Sequence, residues 1–342
     1  MAKNFNAWMV LESDFPGEGT IEEKLRFLLR YAILAPSGPN TQPWKFAINA
    51  NTVSVFADLK RSVPFVDPSN RTLFMSVGCA LANLQVAGEH FGLVSQSDYY
   101  PHGQGSELVA DVKFQPHKKL DKENLFHQIA RRHTIKNRYE NREIDASILE
   151  DLRTGMDDTG VYLHYFDDER SKSKIAGIVA RAHHLQLARK EFRRNLGEWL
   201  RSNWTTEPDG MPLYTFGVPD AVSLGFPAAF KEFDLSDTVI YRDSGLIHCC
   251  SALGILATDG DDRLSWTRCG EALEKFLLRA TKHDIRASFF SQPISLMELR
   301  EEIDGMTNLG CAQLLFSLGY ADPVKSTPRR ALEDFMLEWH QF

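Results

Sequence analysis

The sequence predicts an α+β fold with two similar halves, in which antiparallel or mixed sheets are flanked by helices and long apolar helices lie at the centre. Three observations predict this fold. A helix, a loop and a β-hairpin follow one another over residues 20–57, and a long apolar helix comes next. The segment around Gly78 then recurs near Gly270, at a constant offset of 192 residues.

Composition places the chain among ordinary globular proteins. Its 342 residues are 43% apolar and 25% charged, and this length corresponds to about two domains or one large one. The net charge of −7 gives no broad positive field of the kind that sequence-independent nucleic-acid binding needs, so we expect no nucleic-acid partner. An anionic ligand would need a local cluster of cations.

The sequence carries no secretory or membrane signal. No basic leader with an apolar core opens it, and no apolar run approaches the roughly 20 residues that span a bilayer. The cysteines are odd in number and lack metal-ligand spacing, so we expect mostly small buried hydrophobes, no metal site and a reducing, cytoplasmic setting without membrane attachment. They are Cys79, Cys249, Cys250, Cys269 and Cys311.

The first helix is predicted over residues 20–34, where apolar residues recur at helical spacing. Thr20 and Glu23 form a capping box at its start. The helix should end at Ala35, because Pro36 disfavours helical geometry in the residue before it.

A tight loop and a hairpin follow this helix. The loop covers residues 35–44, and strands at 45–48 and 52–57 are joined by a turn at 49–51.

The second helix is predicted to be buried on several sides. Asp67 and Pro68 should open it, with a capping side chain before a proline at the first helical position. It should run to about Phe91 and end at Gly92. Apolar residues cover most of its circumference, which is typical of a helix at the centre of a fold.

The internal repeat pairs this central helix with a second one. Matching positions place a long apolar helix, a chain reversal and a strand ending in proline in both halves, and this favours a duplicated unit over two unrelated domains. The matching positions are Gly78, Ala80, Leu81, Leu84, Leu93 and Pro101, against Gly270, Ala272, Leu273, Phe276, Ile285 and Pro293.

The second half contains further elements and one irregular insertion. A polar stretch at 115–121 is a candidate junction, a helix is predicted at about 146–155, and alternating residues at 161–166 predict a strand. Residues 202–231 show little periodicity, and long irregular segments in compact proteins are often lids or binding loops. A strand at 313–318 closes the fold.

A run of cations at residues 131–142 is the first candidate site. Most such runs are solvated faces, and that reading stays open. The alternative is a phosphate clamp, because arginine offers a planar fork to phosphate oxygens and Thr134 adds a donor. The cations are Arg131, Arg132, Lys136, Arg138 and Arg142, with His133 among them.

The loop at 36–43 is the second candidate site. Its prolines and glycine are explained by a helix-to-strand turn, but the combination of Ser37, Asn40 and Gln42 is not. A rigid turn with a hydroxyl and two carboxamides could instead address the edge of a heteroaromatic ring. The residues alone leave both readings open.

The basic tail is the third candidate. Lys325, Arg329 and Arg330 are either surface cations or a second arm around the same anion, and Pro328 fixes the approach of the two arginines. The adjacent His183 and His184 lack metal-ligand partners at useful spacing, so we expect helix residues of which at least one is exposed.

Three segments together resemble the nitroreductase superfamily of FMN-dependent oxidoreductases. APSGPNTQPW at 35–44 resembles its helix-loop signature, RRHTIKNRY at 131–139 its arginine-rich opening, and QLLFSLGYADPVKSTPRR at 313–330 its closing strand and basic tail. The resemblance covers the chain from about residue 20 to residue 335.

The order of the motifs differs from that of the usual family member, in which the arginine motif comes first. This order resembles the fused branch of the superfamily, a pseudo-dimer within one chain. The implied repeats are residues 1–124, which carry the loop, and residues 125–342, which carry the arginine opening, a lid-like insertion at 202–231 and the basic tail. One composite FMN site per chain follows.

The resemblance implies which residues bind the cofactor. Arg132 and Thr134 would hold the phosphate with Arg329 and Arg330, and Lys136 would lie toward the ribityl chain and the N1 side of the ring. The full implied set is Pro36, Ser37, Gly38, Asn40, Gln42, Arg131, Arg132, His133, Thr134, Lys136, Lys325, Arg329 and Arg330.

The implied function is an NAD(P)H-dependent reductase of small nitroaromatic or quinone-type acceptors. Hydride would move through N5 of FMN in two half-reactions, so no side chain need act as a nucleophile. The alternative is an FMN-sequestering stress protein with little turnover, in which the insertion closes over the flavin. The aromatic residues that suggest a lid are Trp199, Trp204, Phe216, Phe226 and Phe230.

Overall fold

The first half of the chain builds one antiparallel sheet and two helices. We describe residues 3–118, 123–156 and 159–338 of a computed structural model. The strands β1, β2, β3 and β4 lie in the order β1-β2-β4-β3. The elements are α1 (Ile21–Ala32), β1 (Trp44–Asn49), β2 (Thr52–Ala57), α2 (Arg71–His90), β3 (Leu93–Tyr99) and β4 (Leu108–Pro116).

The second half builds another antiparallel sheet with the equivalent strand order, β5-β8-β10-β9. More helices accompany this sheet, and a short parallel pair joins β6, just before the insertion, to β7 within it. The elements are α3 (Ala146–Arg153), β5 (Val161–Phe166), α4 (Glu169–Leu187), α5 (Lys190–Gly197), β6 (Leu200–Arg201), β7 (Met211–Pro212), α6 (Asp220–Ser223), α7 (Phe226–Glu232), α8 (Ser236–Cys249), β8 (Ala252–Thr258), α9 (Arg263–Lys282), β9 (Ile285–Phe289), α10 (Met297–Thr307) and β10 (Cys311–Tyr320).

Helices α2 and α9 cross at the centre of the molecule and join the two halves. A Cβ atom added at Gly78 would lie 2.1 Å from the backbone oxygen of Thr267, and one added at Gly270 would lie 2.0 Å from that of Met75. The two contacts are reciprocal, because Gly78 and Gly270 are equivalent at the 192-residue offset, and so are the residues that they meet, Met75 and Thr267. Only glycine allows the two backbones to approach this closely.

The predicted α+β class, the antiparallel sheets and the long central helices are confirmed. The capping box of Thr20 and Glu23 is present, and both hairpin strands lie where the pattern predicts them. The hairpin turn is shorter than expected, because Asn49 pairs with Thr52 and leaves two residues at the tip. Within the candidate junction, residues 119–121 lie outside the described residues.

Two predicted helix boundaries are wrong. The second helix begins at Arg71, because Asn70 has a left-handed backbone with φ of 59° and residues 68–70 form a turn. Asp67 still accepts a hydrogen bond from the first turn, at Leu73 N, 3.0 Å away. The first helix ends at Ala32, since the chain tightens into a turn before Pro36.

The insertion at 202–231 contains more regular structure than its sequence indicates. Helices α6 and most of α7 lie within it, and α7 packs against α5. A small apolar cluster forms there from Phe192, Leu200, Leu213 and Phe230. The insertion is therefore a packed layer attached to α5, and it lies over the site described next.

Candidate functional site

A mostly apolar cavity of about 430 Å³ lies where the two halves meet. The loop at 36–40 and α2 line it from the first half. From the second half come residues 132–136, helices α4, α5 and α8, the insertion and the basic tail. This volume falls in the range of pockets that enclose a small molecule or cofactor.

The cavity collects most of the cofactor-binding residues that the sequence suggests. The residues that line it are Pro36, Ser37, Gly38, Asn40, Arg132, His133, Thr134, Lys136, Lys325 and Arg329. Gln42, Arg131 and Arg330 are absent from the lining. All three candidate segments thus converge on one cavity, although Pro36 and Arg329 are 293 residues apart in sequence.

Three suggested residues have other contacts instead. Arg131 is half-exposed and pairs with Asp284 at 3.1 Å. The guanidinium of Arg330 lies 4.4 Å from the centre of the Phe335 ring, and its backbone N–H donates to Oε1 of Gln42 at 3.0 Å. Gln42 and Arg330 therefore tie the loop to the tail from outside the cavity.

The carboxamides of the loop hold the insertion in place. Asn40 Nδ2 donates to the carbonyl oxygen of Gly210 at 2.8 Å, and Gln42 Nε2 donates to that of Pro208 at 2.9 Å. Arg61 pairs with Asp209 between them. These contacts use the amide donors that a ring edge would otherwise engage, so the loop binds residues 208–210 as well as lining the cavity.

Arg132 is the most buried cation of the first candidate segment. Its side chain is 4% exposed, and Nε lies 3.2 Å from Oε1 of the fully buried Glu274 in α9. A terminal nitrogen also donates to the carbonyl oxygen of Leu34 at 3.1 Å. Burial raises the pKa of Glu274 to about 7, and the charge of Arg132 opposes that rise.

Arg329 brings the tail to the same place. Its guanidinium donates to Asn40 Oδ1 at 2.9 Å and to the carbonyl oxygen of Ala35 at 3.1 Å, while its Nε has no hydrogen-bond partner in the described part of the chain. Burial, followed by the like charge of Arg132, lowers the pKa of Arg329 to about 9. The guanidinium still carries its charge at neutral pH.

The same buried environment lowers the pKa of two further side chains of the basic run. Burial and the charge of Arg132 lower the pKa of His133 to about 4, so this ring is neutral at pH 7. Burial lowers the pKa of Lys136 to about 8. The ammonium of Lys136 donates to the carbonyl oxygen of Phe289 and lies 5.1 Å from the centre of the Phe290 ring.

The remaining cation, Lys325, lies at the rim. It is exposed, and its ammonium is 4.9 Å from the centre of the Phe5 ring and 5.0 Å from that of Tyr214. Thr134 lies on the cavity wall, where its backbone pairs with that of Ala287 at the edge of β9. Aromatic rings thus hold one cation at the rim, and a β-bridge holds the predicted hydroxyl on the wall.

The insertion and α5 supply apolar side chains to the cavity wall. Phe192, Leu213, Phe216, Phe226 and Phe230 line it. The two tryptophans of the suggested lid do not. Trp204 is 56% exposed, and Trp199 lies 5.2 Å beneath the guanidinium of Arg61.

Further titratable side chains line the cavity outside the three segments that the sequence suggests as sites. His183 in α4 and Arg242 in α8 line the cavity, and Asp67 joins them. Burial raises the pKa of Asp67. His183 appeared only as a helix residue, and the expectation that one of the two neighbouring histidines is exposed is confirmed by His184. His183 contacts Asp243, and because the two residues are 60 positions apart, local sequence spacing does not show this contact.

The cysteines behave mostly as buried hydrophobes. Cys79, Cys250 and Cys269 are buried and the other two are partly buried, and all are free thiols. Burial raises the pKa of the Cys269 thiol to about 12. In the described ranges, three possible metal ligands do approach one another, Glu12, His90 and His127, at a distance from the cavity lining.

The chain is similar in sequence to curated proteins over nearly its whole length. It is 27% identical over 328 residues to the Mycobacterium tuberculosis protein named "Putative NAD(P)H nitroreductase Rv3131", covering 93% of this chain and 92% of that protein. A Serratia protein named "Probable NAD(P)H nitroreductase PigM" is 24% identical over 220 residues, or 62% of this chain and 61% of that protein. The resemblance to the nitroreductase superfamily is confirmed by this similarity.

Other comparisons add less. Models of known protein families give no match to the chain. A crystal structure described as the FMN and NADPH-dependent nitroreductase NfnB aligns with 64% of this chain and 100% of its own, at 14% identity and a TM-score of 0.41. Among the described residues, no helix is long and apolar enough to cross a membrane.

Proposed function

We propose that the protein is an FMN-dependent oxidoreductase that uses NAD(P)H to reduce a small electron-poor acceptor, such as a nitroaromatic compound or a quinone. The observation that carries the proposal is the cavity itself. Buried cations from two distant segments, Arg132 and Arg329, lie on the wall of a mostly apolar cavity. Names of the relatives that match over the whole length support the same reaction class.

The residues on the cavity fit an anionic, planar cofactor. The cations exceed the single lining carboxylate, Asp67, and the unpaired Nε of Arg329 is a buried donor among the described residues. Charge-assisted bonds from arginine are well suited to phosphate, and the phenylalanines of the insertion suit a flavin ring. We therefore assign the phosphate to Arg132, Thr134 and Arg329, and the ring to the apolar wall.

This chain's own groups would set the cofactor's properties. When bound, FMN supplies hydride exchange at N5. Lys136 places a positive charge on the cavity wall, and positive charge near N1 stabilises the anionic reduced flavin. The insertion lines the cavity and would exclude water from the bound cofactor. The acceptor and NAD(P)H would then use the same cavity in turn.

We further propose that the chain is a pseudo-dimer with one composite site. The equivalent strand orders of the two sheets and the reciprocal contacts of Gly78 and Gly270 support a duplicated unit. The cavity takes its loop from the first repeat, residues 1–124, and its cations from the second, residues 125–342. Neither repeat alone holds the full set of suggested residues.

A second candidate function is an FMN-binding protein with little turnover. The firm attachment of the insertion favours it, because Asn40, Gln42 and Arg61 all bind residues 208–210 and Asn4 binds the carbonyl oxygens of Thr205 and Glu207. A layer held at so many points would restrict the entry of nicotinamide.

Anaerobic mixing of the flavin-loaded protein with NADH or NADPH separates the two candidates. Rapid bleaching of the flavin absorption, followed by its return when a quinone is added, is the result expected of the reductase. Colour that persists until dithionite is added would favour the second candidate. A purified protein that binds no flavin would overturn both.

A further inference from the structure

His183 and Asp243 form a buried pair on the cavity wall. The ring nitrogen Nε2 of His183 lies 2.9 Å from Oδ2 of Asp243, and the two side chains are 3% and 1% exposed. They come from different helices, α4 and α8, which pack against each other. His183 lines the cavity, whereas Asp243 lies behind it.

The second oxygen of the aspartate is also occupied. Arg242 Nε donates to Oδ1 of Asp243 at 2.8 Å, and a terminal nitrogen of the same guanidinium lies 2.7 Å from that oxygen. Burial alone would raise the pKa of Asp243, but Arg242, the His183 hydrogen bond and Lys136 hold it well below its ordinary value. The carboxylate is therefore charged at every pH at which the protein would work.

A charged aspartate fixes the state of the histidine ring. It accepts a hydrogen bond from Nε2–H, which leaves Nδ1 as the ring nitrogen that the carboxylate does not engage. In the described part of the chain, Nδ1 has no hydrogen-bond partner. The same arrangement, a buried carboxylate behind a histidine whose other nitrogen is available, orients the ring and stabilises its protonated form in general acid–base catalysis.

We propose that His183 is the general acid of the reduction, with its ring held in place by Asp243. The proposal rests on the proposed function, in which NAD(P)H supplies the electrons. A quinone acceptor takes a hydride, which brings two electrons and one hydrogen, and a proton from Nδ1 of His183 goes to the quinone oxygen that becomes negative. The product is a hydroquinone, His183 is left neutral, and water returns its proton.

The charges around the ring come from several elements. Helix α8 contributes Asp243 and Arg242, and the basic run contributes Lys136. On α5 and α10, Arg193 binds the carbonyl oxygen of Leu187, and Glu302 binds Arg181. Among the described residues, the carboxylate bonded to the ring is thus that of Asp243.

The test uses His183→Gln, with His184→Gln as the matched control, because the control side chain is the next residue of α4 and is exposed. Protein reduced with NAD(P)H is mixed with a quinone over a range of pH, and return of the flavin absorption is timed. In the unmodified protein the rate should fall with rising pH. His183→Gln should be about 100-fold slower than His184→Gln at low pH and should lose this dependence. Reduction by NAD(P)H, which needs no proton donor, is timed separately in both variants.

A second measurement does not require turnover. Nitrogen NMR of labelled histidine in the flavin-free protein should show the neutral His183 ring with its proton on Nε2, and Asp243→Asn should abolish that preference. A pH profile of flavin reoxidation in His183→Gln that matches the His184→Gln control would overturn the general acid alone, as would a neutral ring with its proton on Nδ1. A wild-type protein that is not reduced by NAD(P)H would overturn the proposed function, before any acceptor is added.

Discussion

Replacing either glycine at the central helix crossing should push helices α2 and α9 apart and destabilise the protein. In Gly78→Ala the new Cβ lies 2.1 Å from the backbone oxygen of Thr267, whereas ordinary contact begins at 3.4 Å. The backbones must therefore move apart by about 1.3 Å, and a gap of roughly 1 Å forfeits a quarter to a half of each dispersion contact along the crossing. Overpacking of this kind costs about 1–3 kcal/mol, and more when backbone must move.

The assay is thermal unfolding followed by circular dichroism. For a chain of 342 residues, that cost corresponds to a decrease in Tm of about 1 to 4 °C. Gly270→Ala should behave in the same way, because its Cβ meets the Met75 backbone at 2.0 Å. Flavin binding should weaken with it, since Thr72, Met75 and Ser76 of α2 line the cavity.

Gly177→Ala is the matched control. This glycine is inside helix α4, is exposed, and has no atom within 4 Å of an added Cβ. Alanine there should stabilise the protein by about 0.5–1 kcal/mol through helix propensity alone. The reasoning is refuted if Gly78→Ala and Gly270→Ala raise Tm as the control does.

Three other changes test the site. Arg132→Met should weaken FMN binding at least tenfold in a fluorescence titration, since charge-assisted bonds contribute about 1.5–3 kcal/mol. Arg131→Met removes an exposed cation of the same type and should bind FMN normally. Equal effects of the two substitutions would contradict the assignment of the phosphate to Arg132. The free energy of unfolding should fall between about pH 4.5 and pH 7. The reason is that burial raises the pKa of Glu274 to about 7, so the folded protein keeps a proton that the unfolded chain has lost. Glu274→Gln should flatten that part of the urea-derived stability profile, and an unchanged slope would contradict this assignment. Asp209→Asn should remove the ion pair with Arg61 and speed the release of FMN. Glu207→Gln, which changes an exposed neighbour, is the control. Identical release rates would show that the Arg61–Asp209 ion pair does not hold the insertion in place.

Local sequence signals were sufficient for most elements of the fold. The capping box, the hairpin and the long central helices follow from hydrophobic spacing and turn chemistry, which act over a few residues. The 192-residue offset also predicted the partner of α2, because Gly78 and Gly270 have the same role in the crossing. The start of α2 was wrong because the left-handed backbone of Asn70 outweighs the capping signal of Asp67 and Pro68.

Long-range pairing explains what the sequence did not show about the site. Cations such as Arg132 and Arg329 could be recognised as candidates from the sequence. Their burial beside Glu274 could not, because Glu274 belongs to α9 and lies more than 130 residues after Arg132. The carboxamides of Asn40 and Gln42 bind residues 208–210, a contact that no local pattern contains. The His183 and Asp243 pair likewise exists only once α4 packs on α8.

The central claim is that one cavity, assembled from both halves, holds one flavin. The most direct measurement is an equilibrium titration of the purified, flavin-free protein with FMN, followed by flavin fluorescence and checked by the phosphorus content of the complex. Saturable binding of one FMN per chain is the expected result. Two FMN molecules per chain, or none at all, would contradict it.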